Sequence, residues 1–130
     1  MIGIDTNVLL RLATDDDASQ VARIRGWIAR HADDLPLYVN HVVLAEALWT
    51  LKSAYRIGRD GIARFVDAML ANAEFEVEAH AAVEEALRSF VTGSADFPDC
   101  LIAACNARRC TTTLTFDRRA AGLPHMTMLA

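Results

Sequence analysis

Met1-Ile2-Gly3-Ile4-Asp5-Thr6-Asn7-Val8-Leu9-Leu10-Arg11 decides how the rest of the chain is read. Met1–Ile4 is a short apolar run of the kind a buried parallel strand leaves. Thr6–Leu12 then has the spacing of a short helix. A strand running straight into a helix starts a β–α unit, and repeated units of this kind build a parallel sheet with helices on both faces. Ligands of such sheets bind beyond the carboxyl ends of the strands. Asp5 stands at that position. A β-branched strand at Thr112–Phe116 ends the same way, on Asp117.

The segments between continue the alternation. Ala18–His31 reads as a helix with Val21, Ile24, Trp27 and Ile28 on one face, and Asp15, Asp16, Asp17 and Ser19 crowd its start as caps. Leu35–Val39 reads as a strand. Asn40 is a good N-cap for a helix over His41–Arg56, with Gly58 as its stop. Gly61–Asn72 is amphipathic through Ile62, Phe65, Val66, Met69 and Leu70. Phe75–Val77 is a short strand. His80–Val91 turns Val83, Leu87, Phe90 and Val91 inward. Phe97–Arg109 carries Pro98 in its first turn, where proline is tolerated. Asp117–Ala121 is a helical turn and Met126–Leu129 a last strand. The expected fold is α/β, with about five parallel strands, as one domain over residues 1–130.

Composition narrows the chemistry. The chain has 130 residues and is 53% hydrophobic, which suits one compact domain with a real core. It has no apolar run long enough to span a membrane, and it lacks the basic and apolar regions of a signal peptide, so a cytoplasmic protein is expected. The net charge of −4 makes it a poor non-specific binder of nucleic acid. Any such substrate needs a local arginine patch. Twelve of the thirteen bases are arginine, and Lys52 is the only lysine. Cys100, Cys105 and Cys110 lie at five-residue steps that do not share a helix face, and no CxxC occurs. They read as small buried hydrophobes of a reducing compartment.

Three further acids join Asp5 and Asp117. Asp96 and Asp99 flank a helix start, three residues apart, and can lie on one side. Glu46 has Val42, Val43, Trp49 and Thr50 as helical neighbours, so it is expected on an apolar face that would penalise an unpartnered carboxylate. Two carboxylates about 5 Å apart repel by roughly 3 kcal/mol at an effective dielectric near 20. A group of three or four needs a cation. Oxygen ligands without cysteine or histidine at ligand spacing favour Mg²⁺ or Mn²⁺ over zinc. His31, His41, His80 and His125 are scattered. Arg11, Arg118 and Arg119 flank the acids and are candidate phosphate contacts.

Four motifs in register resemble the PIN domain. They are Asp5-Thr6-Asn7-Val8-Leu9-Leu10-Arg11, Ala45-Glu46, Ala95-Asp96-Phe97-Pro98-Asp99-Cys100-Leu101-Ile102-Ala103, and Thr113-Leu114-Thr115-Phe116-Asp117-Arg118. Within that family the likeness is to the VapC toxins of toxin–antitoxin pairs. The resemblance implies a three-layer α/β/α fold with strand order 3-2-1-4-5, which sets the strand-end acids Asp5 and Asp117 side by side. It implies an Mg²⁺- or Mn²⁺-dependent endoribonuclease acting on structured RNA, a cognate antitoxin and a homodimer. Asp5, Glu46, Asp99 and Asp117 match the catalytic quartet. Asp96 matches an additional acid, which with Asp5, Asp99 and Asp117 makes the expected metal ligands. Thr6, Asn7 and Thr115 match accompanying polar positions, and with Arg11 and Arg118 form the expected substrate contacts.

Rival readings fit less well. Haloacid-dehalogenase-like phosphatases carry a second aspartate two positions after the first, where this chain has Asn7. Receiver domains need a strand-end lysine. No phosphate-binding glycine loop or nucleophile elbow is present. The alternative kept is a PIN-like binding module that acts mainly in a DNA-binding complex with its antitoxin. Trp49, Tyr55, Phe65 and Met69 are candidates for a dimer or antitoxin surface.

Overall fold

The structure is a computed structural model and describes residues 1–129; Ala130, the last residue of the expected domain, lies outside the described residues. Strand β1 (Ile2–Gly3) leads into helix α1 (Thr6–Thr14) and helix α2 (Ala18–Arg30). Strand β2 (Leu37–Val39), helix α3 (His41–Ser53) and helix α4 (Arg59–Ala71) follow. Strand β3 (Phe75–Val77), helix α5 (His80–Thr92) and helix α6 (Phe97–Asn106) come next, then strands β4 (Thr113–Thr115) and β5 (Met126–Met128). The α/β alternation is as expected, and every strand pair is parallel.

The strands form two sheets. β2 lies between β1 and β3, with Ile2 opposite Leu37 and Val39 opposite Val77. Among the described residues β4 pairs only with β5, Thr113 opposite Met126. The pairs 3-2-1 and 4-5 of the expected order are therefore present, but the link between β1 and β4 is not formed. β1 spans two residues, too short to offer a second neighbour much of a ladder. Ile2 is 40% exposed, so the expectation of a buried first strand also fails, and Leu114 of β4 is 60% exposed.

Helices bury what the sheets do not. Leu9, Val39, Leu44, Val66, Val83 and Cys100 are the largest fully buried side chains. They join α1, α3, α4, α5 and α6 to β2 in one core. α2 stands apart from it. Only its Ile28 is buried, while Ile24 and Trp27 border a groove of about 1130 Å³ between α2, α1 and β1, and Val21 is half-buried outside it.

Local chemistry accounts for the helix starts. Asp17 accepts the Gln20 amide at 3.0 Å and starts α2. Asn40 accepts the Val43 amide at 2.8 Å and starts α3. Asn40→Ala is expected to destabilise the fold by about 1 kcal/mol, read as a lower urea midpoint at unchanged slope. Gly58 does not end α3, which stops at Ser53. It is instead the N-cap residue of α4. Asp16 has its own role, accepting the Tyr55 hydroxyl at 2.6 Å and pairing with Arg11 at 3.1 Å.

Candidate active site

Asp5 leaves β1 in extended backbone and caps α1, accepting the Val8 amide at 3.3 Å. Its neighbour Thr6 donates its hydroxyl to the Glu46 carboxylate. One end of β1 and the middle of α3 are thereby tied together through two of the expected site residues. Glu46 does not lie on a core face. Val42 is 74% exposed and Trp49 62%, so this side of α3 faces outward and the carboxylate remains hydrated. Glu46 is exposed, so the penalty expected for an unpartnered carboxylate on an apolar face does not arise.

The other acids meet at the start of α6. Asp96 is its N-cap residue by position, but its side chain makes no capping bond. It reaches Lys52 of α3 instead, at 3.0 Å. Asp99 follows in the first turn. Asp117 leaves β4 and folds back on itself, accepting the amides of Arg119 at 2.8 Å and Ala120 at 2.9 Å. Its own amide donates to the Thr115 hydroxyl at 3.0 Å, so Thr115 shapes the turn that presents the carboxylate. Asp96, Asp99, Asp117, Arg118 and Arg119 line one cleft of about 290 Å³.

Asp99 is the electrostatic centre of this cleft. Partial burial raises its pKa above the usual carboxylate value, and the negative charges of Asp117 and then Asp96 raise it further. An ionised Asp99 is thus held in a place that resists its charge. Cations are close at hand: Lys52 on Asp96, and Arg118 and Arg119 on the cleft wall.

The donors are carboxylate oxygens, which suits a hard divalent cation. The assembly is partial. Among the described residues no three histidine, cysteine, aspartate or glutamate side chains lie close enough to hold one ion. The structure brings Asp96, Asp99 and Asp117 to one cleft and Thr6 to Glu46. It does not form the β1–β4 ladder that was to set Asp5 beside Asp117. Asn7 and Arg11 line the groove along α2 together with Asp5. Arg11 is engaged there by Gln20 at 2.6 Å, Asp16 and the Tyr55 hydroxyl.

Two residues beyond the sequence motifs hold the cleft in place. One is Lys52. The other is Arg59, whose guanidinium donates to the carbonyls of Phe90 at 2.6 Å, Ala95 at 2.9 Å and Gly93 at 3.2 Å. It also lies over the Phe90 ring, 3.9 Å from the centroid. Arg59 thus clamps the turn that delivers Asp96 and Asp99. A cation in the first turn of a helix opposes the helix dipole, and that misfit was the one local sign of another task.

Of the four aromatic and methionine candidates for a partner surface, only Trp49 is exposed. Met69 is buried, Phe65 packs against the core and Tyr55 is held by Asp16. Cys100 is a buried thiol with its pKa pushed up to about 11 by desolvation, so it is inert packing. Among the described residues no helix is long and apolar enough to cross a membrane.

A comparison with curated proteins found no match. The PIN domain family matches residues 2–125, a span that includes every acid of the site. With that match over nearly the whole length, the chain belongs to the PIN domain family.

Proposed function

We propose that this chain is a metal-dependent endoribonuclease, the toxin of a VapBC-type pair, which cleaves structured RNA such as a tRNA or an rRNA loop. PIN domains are nucleases in general, which supports phosphodiester hydrolysis. The observation that carries the reading is the meeting of Asp96, Asp99 and Asp117 with Arg118 and Arg119 in one cleft. Burial and two like-charged neighbours disfavour the charge on Asp99, and a bound cation would relieve that.

Asp96, Asp99 and Asp117, which share the cleft, and Asp5 at the end of β1 would hold one or two Mg²⁺ or Mn²⁺ ions once drawn closer together than they stand here. When bound, such an ion acidifies a water and neutralises charge on the scissile phosphate. The chain's own groups do the rest. Thr6 fixes one oxygen of Glu46, leaving the other to orient the attacking water and take its proton. The amide bonds to Asp117 hold its carboxylate against the cleft. Arg118 and Thr115 stand beside it, the guanidinium as a phosphate contact. Asn7, on the first turn of α1, and Arg11 extend the substrate surface along the α2 groove. No side-chain nucleophile is involved, so products carry 5′-phosphate and 3′-hydroxyl ends.

The exposed side of α3, with Val42 and Trp49, supports a surface for an antitoxin or a second protomer. The deciding experiment incubates the purified chain with end-labelled structured RNA, with Mg²⁺ and with EDTA, and maps both product ends. Metal-dependent cuts with 5′-phosphates are expected. Cleavage that persists in EDTA and leaves cyclic phosphates would sink the proposal.

A further inference from the structure

The 13-residue helix α2 carries Arg23, Arg25 and Arg30 and no acid, within a chain of net charge −4. Arg25 is paired with Glu74 at 3.2 Å. Arg23 and Arg30 have no carboxylate partner among the described residues. Both line the groove of about 1130 Å³, with Trp27 between them. The spacing 23, 27, 30 is i, i+4, i+7, so the three share one helix face. The two arginines stand about 10 Å apart along the axis. Trp27 is half-buried and stacks on His31, with the rings 4.0 Å apart and 10° from parallel, which fixes its plane. Among the described residues Asp5 is the only acid on the groove wall, and Asn7 lies beside it.

Solubility alone would explain two exposed arginines. It does not explain a fixed aromatic plane between them in a groove that leads to a site residue. Alternating guanidinium and aromatic groups are what an unpaired nucleic-acid strand needs, charge for the phosphates and a flat face for a base. The groove's charge is opposite to that of the chain as a whole, and it complements a polyanion.

We infer that the Arg23–Trp27–Arg30 face of α2 is a track for an unpaired RNA strand, with the two arginines on phosphates and Trp27 under a base. The track rests on the ribonuclease reading only for the identity of the strand.

The test measures anisotropy of a fluorescein-labelled single-stranded RNA dodecamer with the intact chain in EDTA, so that cleavage plays no part. Arg23→Gln with Arg30→Gln is expected to weaken binding tenfold or more. It should also flatten the slope of log K against log salt by about 1.4, two phosphates at about 0.7 each. Trp27→Leu keeps apolar bulk and is expected to weaken binding at least fivefold with the slope unchanged. In a Trp49→Phe background Trp27 is the only tryptophan, and RNA should quench it. Unchanged affinity and slope in the arginine variant overturns the track. Equal affinity for polyglutamate overturns it too, because the groove would then be a general polyanion surface. Failure of the nuclease reading looks different: RNA would stay intact in Mg²⁺ while binding that depends on Trp27 persists.

Discussion

Asp99→Asn is expected to cut metal-dependent RNA cleavage roughly a hundredfold or more and to make the metal-free protein more stable. Both effects come from one cause. Asp99 sits partly desolvated beside Asp117 and Asp96, and all three disfavour its charge. Asparagine keeps the shape and removes the charge, so the repulsion goes, and with it the strongest reason for a cation to bind. The pH dependence follows. A carboxyl whose folded pKa is raised takes up its proton in the folded chain first. As pH falls, Asp99 therefore adds stability between its raised pKa and its ordinary value of 3.8. Asp16 acts below that window. The Tyr55 hydroxyl lowers its pKa, so its contribution is lost as pH falls from 3.8 downward. Thermal melts without metal should show the mild-acid gain in the wild type and not in Asp99→Asn. Equal cleavage by the variant in Mg²⁺ would remove Asp99 from the mechanism.

Phe90→Ala carries the largest expected loss of stability, about 3–5 kcal/mol. Phe90 is buried on α5, meets Phe97 edge-on at 5.6 Å and lies under the Arg59 guanidinium. Truncation therefore empties core space, frees Phe97 between Asp96 and Asp99, and loosens the Arg59 clamp together. Domains of this size are stable by about 5–15 kcal/mol, so a large share of the total would go. Urea unfolding measures it. Phe90→Leu should lose less. A full-length change at wild-type stability would mean that the α5–α6 packing is not what holds the cleft.

Much of this could be read along the chain because it depends on neighbours in sequence. Asn40 and Asp17 announce helix starts through bonds to amides three residues on. Asp96 and Asp99 announce a common side by their spacing. Glu46 shows the limit. Val42 and Trp49 suggested a core face, yet they are exposed, because α3 buries its Val43, Leu44, Ala47 and Leu48 side instead. Apolar residues lie on both sides of that helix, so periodicity alone did not say which was inward. The β1–β4 gap was illegible for a related reason: a parallel pair is joined through space, and a strand of two residues carries little pattern. Lys52 and Arg59 were missed because their partners lie 44 and about 31–36 residues away.

Lys52 also gives the chain a chemical address. It is the only lysine, so it and the amino terminus are the only amines that an acylating reagent can find. Its ammonium rests on Asp96 at the mouth of the acidic cleft. A dye or photocrosslinker attached there would sit beside the site without any engineered residue, and its labelling rate would report whether the Asp96 pair is closed. Acylation would also strip the cleft of that counter-charge, leaving Asp96 to seek another cation.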